Sequence, residues 1–271
     1  MPSRLPALAC LLTLLDTALP FDSITKVATA ALALRLVEER KLRLEDPIVR
    51  WYPGWRGDAR ATVADLLGHT AGIRDPEVDL APGAKLPSAR RLIATAPGPR
   101  TTEAQYSNVG YLIAGRVLER AAREPLAKAM RREVFGHPGE DGLALQPAER
   151  PRPPHAHSYW YPDGGGTPVD ASDGGPILPY RALAALASAA GSLAGDVPSL
   201  ARWGHELFGG RVLEPTSLRE MARFPVASGR PTGSASPATP SRSAPCGATA
   251  GTGWAATPSS GTCRRSGSRS R

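Results

Sequence analysis

A mixed α+β fold is what this sequence predicts, on three observations. Apolar residues recur at helical spacing in several stretches set apart by turn formers. Residues 136–180 are instead rich in Pro and Gly and hold short alternating pieces such as His157–Tyr161, the pattern of loops and short strands. Of the 271 residues, 41% are hydrophobic, enough for one sizeable core and at most a small second one.

The elements follow in order. The opening stretch, MPSRLPALACLLTLLDTALP, carries Arg4 and a short apolar run. A secretory signal has that outline, but the positive end is thin and no small-x-small cleavage site stands out. It therefore reads as a buried amphipathic or core segment, and the chain as cytoplasmic rather than exported. No apolar run reaches the roughly 18 residues that span a bilayer, so no integral membrane segment is expected. From Val27 to Arg40, Val27, Ala30, Ala31, Leu34 and Val37 trace a helix, with Asp22 or Ser23 in the N-cap position. Pro47–Gly57 reads as loop, with Trp51, Tyr52 and Trp55 in the core. Thr62 or Asp65 opens a short helix through Leu67 that ends at a Gly72 turn. Ser88–Thr95 is a short helix within loop-rich structure, and Asn108–Arg123 a longer one. Ala182–Ala190, Val197–Phe208 and Pro215–Ala222 complete the helices.

After Ser228 the character changes. Residues 230–271 contain no Leu, Ile, Val or Phe and cannot offset the entropy of ordering, so they are expected to be disordered. The chain divides accordingly into a folded part, 1–229, and a tail, 230–271. The tail also holds six arginines and no Asp, Glu or Lys; subtracting those six from the net charge of +8 leaves +2 for residues 1–229. The folded part is thus near neutral, and the tail lacks interleaved aromatics, so nucleic acid is not a predicted partner. Cys10, Cys246 and Cys263 give neither a disulfide framework nor a metal pattern. His155 and His157 form an H-x-H without further clustered ligands, so neither metal nor cofactor is expected. Arg131-Arg132 reads as a solvated helix end.

Two short patterns carry chemistry. Ser23-Ile24-Thr25-Lys26 leads into the first helix, and residues three apart share a helical face, bringing an amine within reach of a hydroxyl. A serine becomes nucleophilic when a neighbouring base takes its proton, and a desolvated lysine can serve. Tyr106-Ser107-Asn108 precedes the second long helix. A phenol beside a cation sheds its proton more easily, and a carboxamide can hold a substrate carbonyl. Taken singly, each pattern is equally compatible with a capped helix, a solvated lysine and a core tyrosine.

Taken in order, the segments resemble one family. FDSITKVATAALALRLVEERKLRLEDPI is similar to the active-serine helix of the superfamily of penicillin-binding proteins, DD-peptidases and class C β-lactamases. TVADLLGHTAGI resembles its Leu-Leu-x-His-Thr-Ser-Gly segment, with Ala71 in place of the serine. YSNVGYLIAGRVLE resembles its Tyr-x-Asn motif and following helix, and AAGSLAGDVPSLARWGHELFGGRVLEPTSLREM its later Gly-rich stretch. The resemblance covers Pro20–Met221. It implies a β-lactamase/transpeptidase-like fold, an antiparallel sheet flanked by helices beside a mainly helical region. It further implies a serine hydrolase that forms an acyl-enzyme on a small-molecule or peptide substrate: peptide-like amides, β-lactams or esters. Ser23 would be the nucleophile, Lys26 and Tyr106 jointly the proton-handling pair, and Asn108 a substrate-amide contact. His69, in a turn of the family pattern, is expected to be hydrogen-bonded and structural rather than part of a triad.

The chain departs from that pattern twice. Family members have several tens of residues of strand before the nucleophile, against 22 residues here. The family's third motif, Lys-Thr-Gly or His-x-Gly on a strand lining the site, has no match after Met221. That strand supplies an oxyanion-hole N–H, whose loss costs about 100- to 1,000-fold in rate. The sheet is therefore expected to be incomplete at both ends. GC-rich codons for Pro231–Ser236, read two bases on, can spell Tyr-Gly-Leu-Gly-Leu, and Gly251-Thr252-Gly253 likewise His-Gly. A frameshift near Ser228 would account for the tail and the missing motif together. The competing reading is a catalytically inactive or truncated member that acts as a binding protein or has no function.

Overall fold

Helix α1 (Thr25–Glu38) lies at the centre of the protein. The computed structural model describes residues 15–96, 103–136, 142–161 and 167–224. The tail from 225 on and residues 1–14, on which the expected disorder and most of the expected N-terminal core segment fall, lie outside the described residues. The spacing in α1 predicts an apolar stripe, yet the helix is buried on nearly every side: Ala28, Ala31, Leu32, Ala33 and Leu36 are all inaccessible. A helix apolar all round is an interior one. Its alanines let four helices approach: α5 (Asn108–Ala122), α6 (Leu126–Met130), α7 (Arg181–Gly191) and α9 (Pro215–Met221). Each fully buried leucine in this layer contributes about 1.5–3 kcal/mol relative to exposure.

The expected N-cap of α1 is corrected. A 3-10 turn, Asp22–Ile24, runs straight into the helix, and neither Asp22 nor Ser23 caps it with its side chain. Thr25 instead donates its hydroxyl to the Asp22 carbonyl at 2.6 Å. The loop expected over 47–57 contains a short helix, α2 (Ile48–Trp51), because Asp46 accepts from both the Trp51 indole at 3.0 Å and the Arg50 guanidinium at 2.8 Å. Trp55 is buried, while Trp51 and Tyr52 only pack against the core's edge. The α3 helix (Val63–Leu67) begins with a reciprocal Thr62–Asp65 capping box, and α4 (Ala89–Thr95) with Ser88 accepting from the Arg91 amide. Helix α5 is capped by Ser107, whose Oγ accepts from Gly110 N at 2.9 Å, and ends in a left-handed Arg123.

Arg131 is not solvated. Helix α6 continues into a π-helical turn, Arg131–Phe135, which rotates Arg131 inward. There its Nε and Nη2 hold the two oxygens of Glu149 at 3.0 and 2.7 Å, and Nη2 also reaches the Leu143 carbonyl at 2.7 Å. Arg132 does face solvent and pairs with Glu124 and Glu133.

Three short strands form one antiparallel sheet in the order β1 (Leu19–Pro20), β5 (Leu193–Gly195), β2 (Leu143–Leu145). Leu19 and Leu143 both face Gly195, one from each side. Strand β5 sits between α7 and α8 (Val197–Phe208), and three residues there carry no alternation that a sequence could announce. A separate two-stranded hairpin pairs β3 (Tyr159–Trp160) with β4 (Val169–Asp170). The architecture is therefore α+β. Among the described residues, no helix is long and apolar enough to cross a membrane.

Candidate active site

The turn Asp22–Ile24 and the first turn of α1 place Ser23 and Lys26 on one face. The segment before α5 brings Tyr106 and Asn108 to the same point from 82 and 83 residues away. Ser23 Oγ lies 2.6 Å from the Tyr106 hydroxyl, and Lys26 Nζ lies 3.1 Å from Ser23 Oγ. Lys26 Nζ also donates to Asn108 Oδ1 at 2.8 Å and to the Ala190 carbonyl at 2.7 Å. The four residues named from sequence thus converge, and the Ser23 hydroxyl and Lys26 amine stand within hydrogen-bonding reach.

Donor counting sharpens the picture. Asn108 Oδ1 and Ala190 O can only accept, so a neutral Lys26 amine gives them both of its N–H groups. A charged amine also donates to Ser23 Oγ at 3.1 Å, whereas in the neutral form its lone pair is left for the Ser23 hydroxyl. Either hydroxyl can donate in the Ser23–Tyr106 contact. Burial supplies the neutral amine: it draws Lys26 down from 10.5 to about 7, against the opposing pull of the Asp75 and Asp22 carboxylates. Asp22 is itself pushed up from 3.8 to about 6 by burial, offset in part by Lys26.

Tyr106 departs from expectation. Lys26 Nζ does lie 4.8 Å from its ring centroid, yet burial raises the phenol pKa rather than lowering it, with only the Ser23 hydrogen bond opposing. Tyr106 therefore keeps its proton at neutral pH, while Lys26 is lowered to about 7.

Ala190 was not legible as a site residue. At Ser188 the backbone of α7 leaves helical geometry (φ 39°, ψ −124°), and the next two carbonyls are taken by other elements. Ala189 O accepts from the Thr29 hydroxyl at 2.7 Å and Ala190 O from Lys26. The Thr25 hydroxyl, accepting from Leu193 N at 2.9 Å, ties α1 to β5 beside it.

Asp75 was missed as well. Its Oδ1 accepts from Ser107 Oγ at 2.7 Å and Val109 N at 3.0 Å, and its Oδ2 from Asn108 N at 2.7 Å. One carboxylate thereby holds the first amides of α5, where a negative charge is favoured by the helix dipole. Its only sequence mark is an acid shortly after the Gly72 turn, which does not reveal a partner 33 residues on.

His69 sits where expected, in a turn, with φ 61° and half-buried. It touches neither Ser23 nor a carboxylate by any hydrogen bond among the described residues, so no Ser-His-Asp triad forms there. His155 and His157 turn to separate partners, the Pro151 carbonyl at 3.1 Å and Asp170 Oδ2 at 2.6 Å. Among the described residues, no three potential metal ligands cluster.

Comparison with known proteins places the chain in a family. Residues 15–268 match the Beta-lactamase family. Esterase EstB of Burkholderia gladioli is 30% identical over 185 residues, which span 59% of this chain and 45% of the esterase. Penicillin-binding protein 4 of Amycolatopsis lactamdurans is 32% identical over 130 residues, 44% of this chain and 34% of that protein. Among solved structures, a D-stereospecific amidohydrolase from a Streptomyces species superposes with a TM-score of 0.65 at 26% identity, covering 77% of this chain and 66% of that one. The chain spans less than half the length of the two curated relatives.

Proposed function

Since this chain belongs to the Beta-lactamase family, we propose that it is a serine hydrolase that cleaves amide or ester bonds through an acyl-enzyme on Ser23. One observation carries the reading: a buried amine, held by Asn108 Oδ1 and the Ala190 carbonyl, lies 3.1 Å from the Ser23 hydroxyl.

The reaction follows from that geometry. Ser23 Oγ attacks the substrate carbonyl carbon while its proton passes to Lys26 Nζ. The tetrahedral intermediate collapses as the Tyr106 phenol, protonated in the resting site, gives its proton to the leaving nitrogen or oxygen. The ammonium at Lys26 restores that proton. Water then attacks the Ser23 ester with the same groups as base and acid, releasing a carboxylic acid and regenerating the hydroxyl. Asn108, its carboxamide oxygen held by Lys26, presents its nitrogen side to a substrate carbonyl. The similarity to an esterase, a penicillin-binding protein and a D-stereospecific amidohydrolase supports peptide-like amides, β-lactams and simple esters as the substrate class.

The alternative is a catalytically inactive or truncated family member that acts as a binding protein or has no function; the similarity to an esterase and an amidohydrolase does not favour it. The division at residue 229 and a frameshift near Ser228 belong to that reading, and sequencing the locus for an open downstream frame tests it. A fluorophosphonate probe separates the two functions. Labelling of the parent chain that vanishes in Ser23→Ala is the expected result. Labelling that survives Ser23→Ala would refute the assignment of the nucleophile, and no labelling of either chain would favour the inactive member.

A further inference from the structure

We propose that His69 is a positioning residue that sets the Tyr106 phenol against Ser23; this rests on the reading of Ser23 as nucleophile. The observation is a bracket. The His69 carbonyl accepts from Gln105 N at 2.9 Å, and its Nδ1 accepts from Ser107 N at 3.1 Å. One residue thus fixes the backbone immediately before and immediately after Tyr106. Between those two bonds its ring lies against the Tyr106 ring, centroids 4.8 Å apart at 30°, and against the Tyr111 ring on α5 at 5.1 Å. Tyr111 is itself anchored, donating its hydroxyl to the Leu67 carbonyl at 3.0 Å. The imidazole is therefore clamped between a fixed aromatic and the one whose hydroxyl touches the nucleophile.

The left-handed backbone at His69, φ 61°, is what turns both its carbonyl and its ring toward 105–107. Among non-glycine residues, Asn, Asp and His are the ones enriched in that conformation. The chemistry also fixes the tautomer. For Nδ1 to accept an amide proton it must be unprotonated, so the ring hydrogen sits on Nε2. Burial, with the Lys26 charge adding to it, holds His69 down at about 4, so the acceptor persists through neutral pH. The groups facing the ring are Lys26 from α1, Tyr106, and Tyr111 from α5. Nothing in this arrangement has His69 exchanging protons with substrate. It acts through Tyr106.

Two substitutions separate the parts. His69→Phe keeps a ring face and removes the acceptor; His69→Asn removes the ring and keeps an acceptor oxygen where Nδ1 was, on a residue tolerant of the same φ. The readouts are fluorophosphonate acylation of Ser23 and turnover of a p-nitrophenyl ester, with Ser23→Ala alongside. Misplacing a reacting group by about 1 Å costs on the order of 100-fold. We expect His69→Phe to lose about that in kcat with KM little changed, and His69→Asn to recover part of it. Equal and full activity of both variants, or a loss expressed only in KM or melting temperature, would overturn the proposal while Ser23→Ala still abolishes labelling. Labelling that persists in Ser23→Ala, or is absent from the parent, would instead overturn the reading beneath it. The unmodified protein supplies a check independent of folding of the variants. Its 15N spectrum at neutral pH should show His69 with unprotonated Nδ1, and a protonated Nδ1 there would also overturn the proposal.

Discussion

Two parts of this protein are rich in titratable side chains, and they use them differently. Around Lys26 the amine and Asn108 are buried, while Ser23 reaches solvent. The amine meets Ser23 Oγ, Asn108 Oδ1 and Ala190 O within 3.1 Å. On the β3–β4 hairpin the closest contact is shorter, His157 Nδ1 to Asp170 Oδ2 at 2.6 Å, but both partners stand in solvent. There Asp170 is held below the usual carboxylate range by the Ser172 backbone amide first and His157 second. In water such a pair is screened and worth little. At Lys26 burial, not contact, draws an amine down to about 7. Contact distance is thus a poor guide to chemistry, and desolvation decides which cluster can act.

The sharpest way to break that contrast is to remove the amine. Lys26→Met keeps the length and apolar stem of the side chain and deletes the base. The acylation rate of Ser23 should fall by about 100- to 10,000-fold, the range of a positioned general base. A fall of less than about threefold, measured with the fluorophosphonate probe, would mean that burial at Lys26 has no catalytic consequence. The parent chain should also show its rate rising through pH about 7, because only the neutral amine has a lone pair for Ser23. Asp22→Asn should move that rise to lower pH, since the Asp22 carboxylate favours the charged amine. The sign for stability is the same: between about 7 and 10.5 the unfolded chain holds more protons at this lysine than the native one, so its contribution to stability climbs with pH across that window.

The difference also explains what could be read from sequence. Long periodic helices were legible, Val197–Phe208 to the residue, because one apolar face records their packing. The serine and lysine were legible because local helical spacing alone brings them together. Tyr106 and Asn108 were placed only by resemblance, since no local rule brings residues across more than 80 positions. Asp75 and the Ala190 carbonyl were illegible for a stronger reason. One acts through backbone amides of another segment, and the other is a main-chain atom freed by a break at Ser188. Arg131 was misread because a π-helical turn changes the face it presents.

Beside that break, α5 and α7 pack closely. Gly115 on α5 faces Ala189 on α7 so closely that a Cβ added to it would stand 2.7 Å from the Ala189 Cβ. Gly115→Val should therefore force α5 and α7 apart. Overpacking of this kind costs about 1–3 kcal/mol, measured by chemical denaturation. It should also slow acylation, because the displaced strand of backbone includes the carbonyl that holds Lys26. A variant that is destabilised but acylates at the parent rate would show that the Ala190 contact is dispensable, and the cluster around Lys26 would lose one of its supports.

The smallest effect is expected in the wet cluster. Tyr159 stands opposite Asp170 across the hairpin and is about half exposed, at 49%. Tyr159→Ser removes one cross-strand contact, worth roughly 0.2–1 kcal/mol, from a surface where water already competes for every polar group. Denaturation should shift by less than about 0.5 kcal/mol, as for surface substitutions remote from special features. Ser23 labelling should be unchanged. A loss of labelling here with stability intact would mean that the hairpin reaches the substrate, and the division into an acting cluster and a solvated one would have to be redrawn.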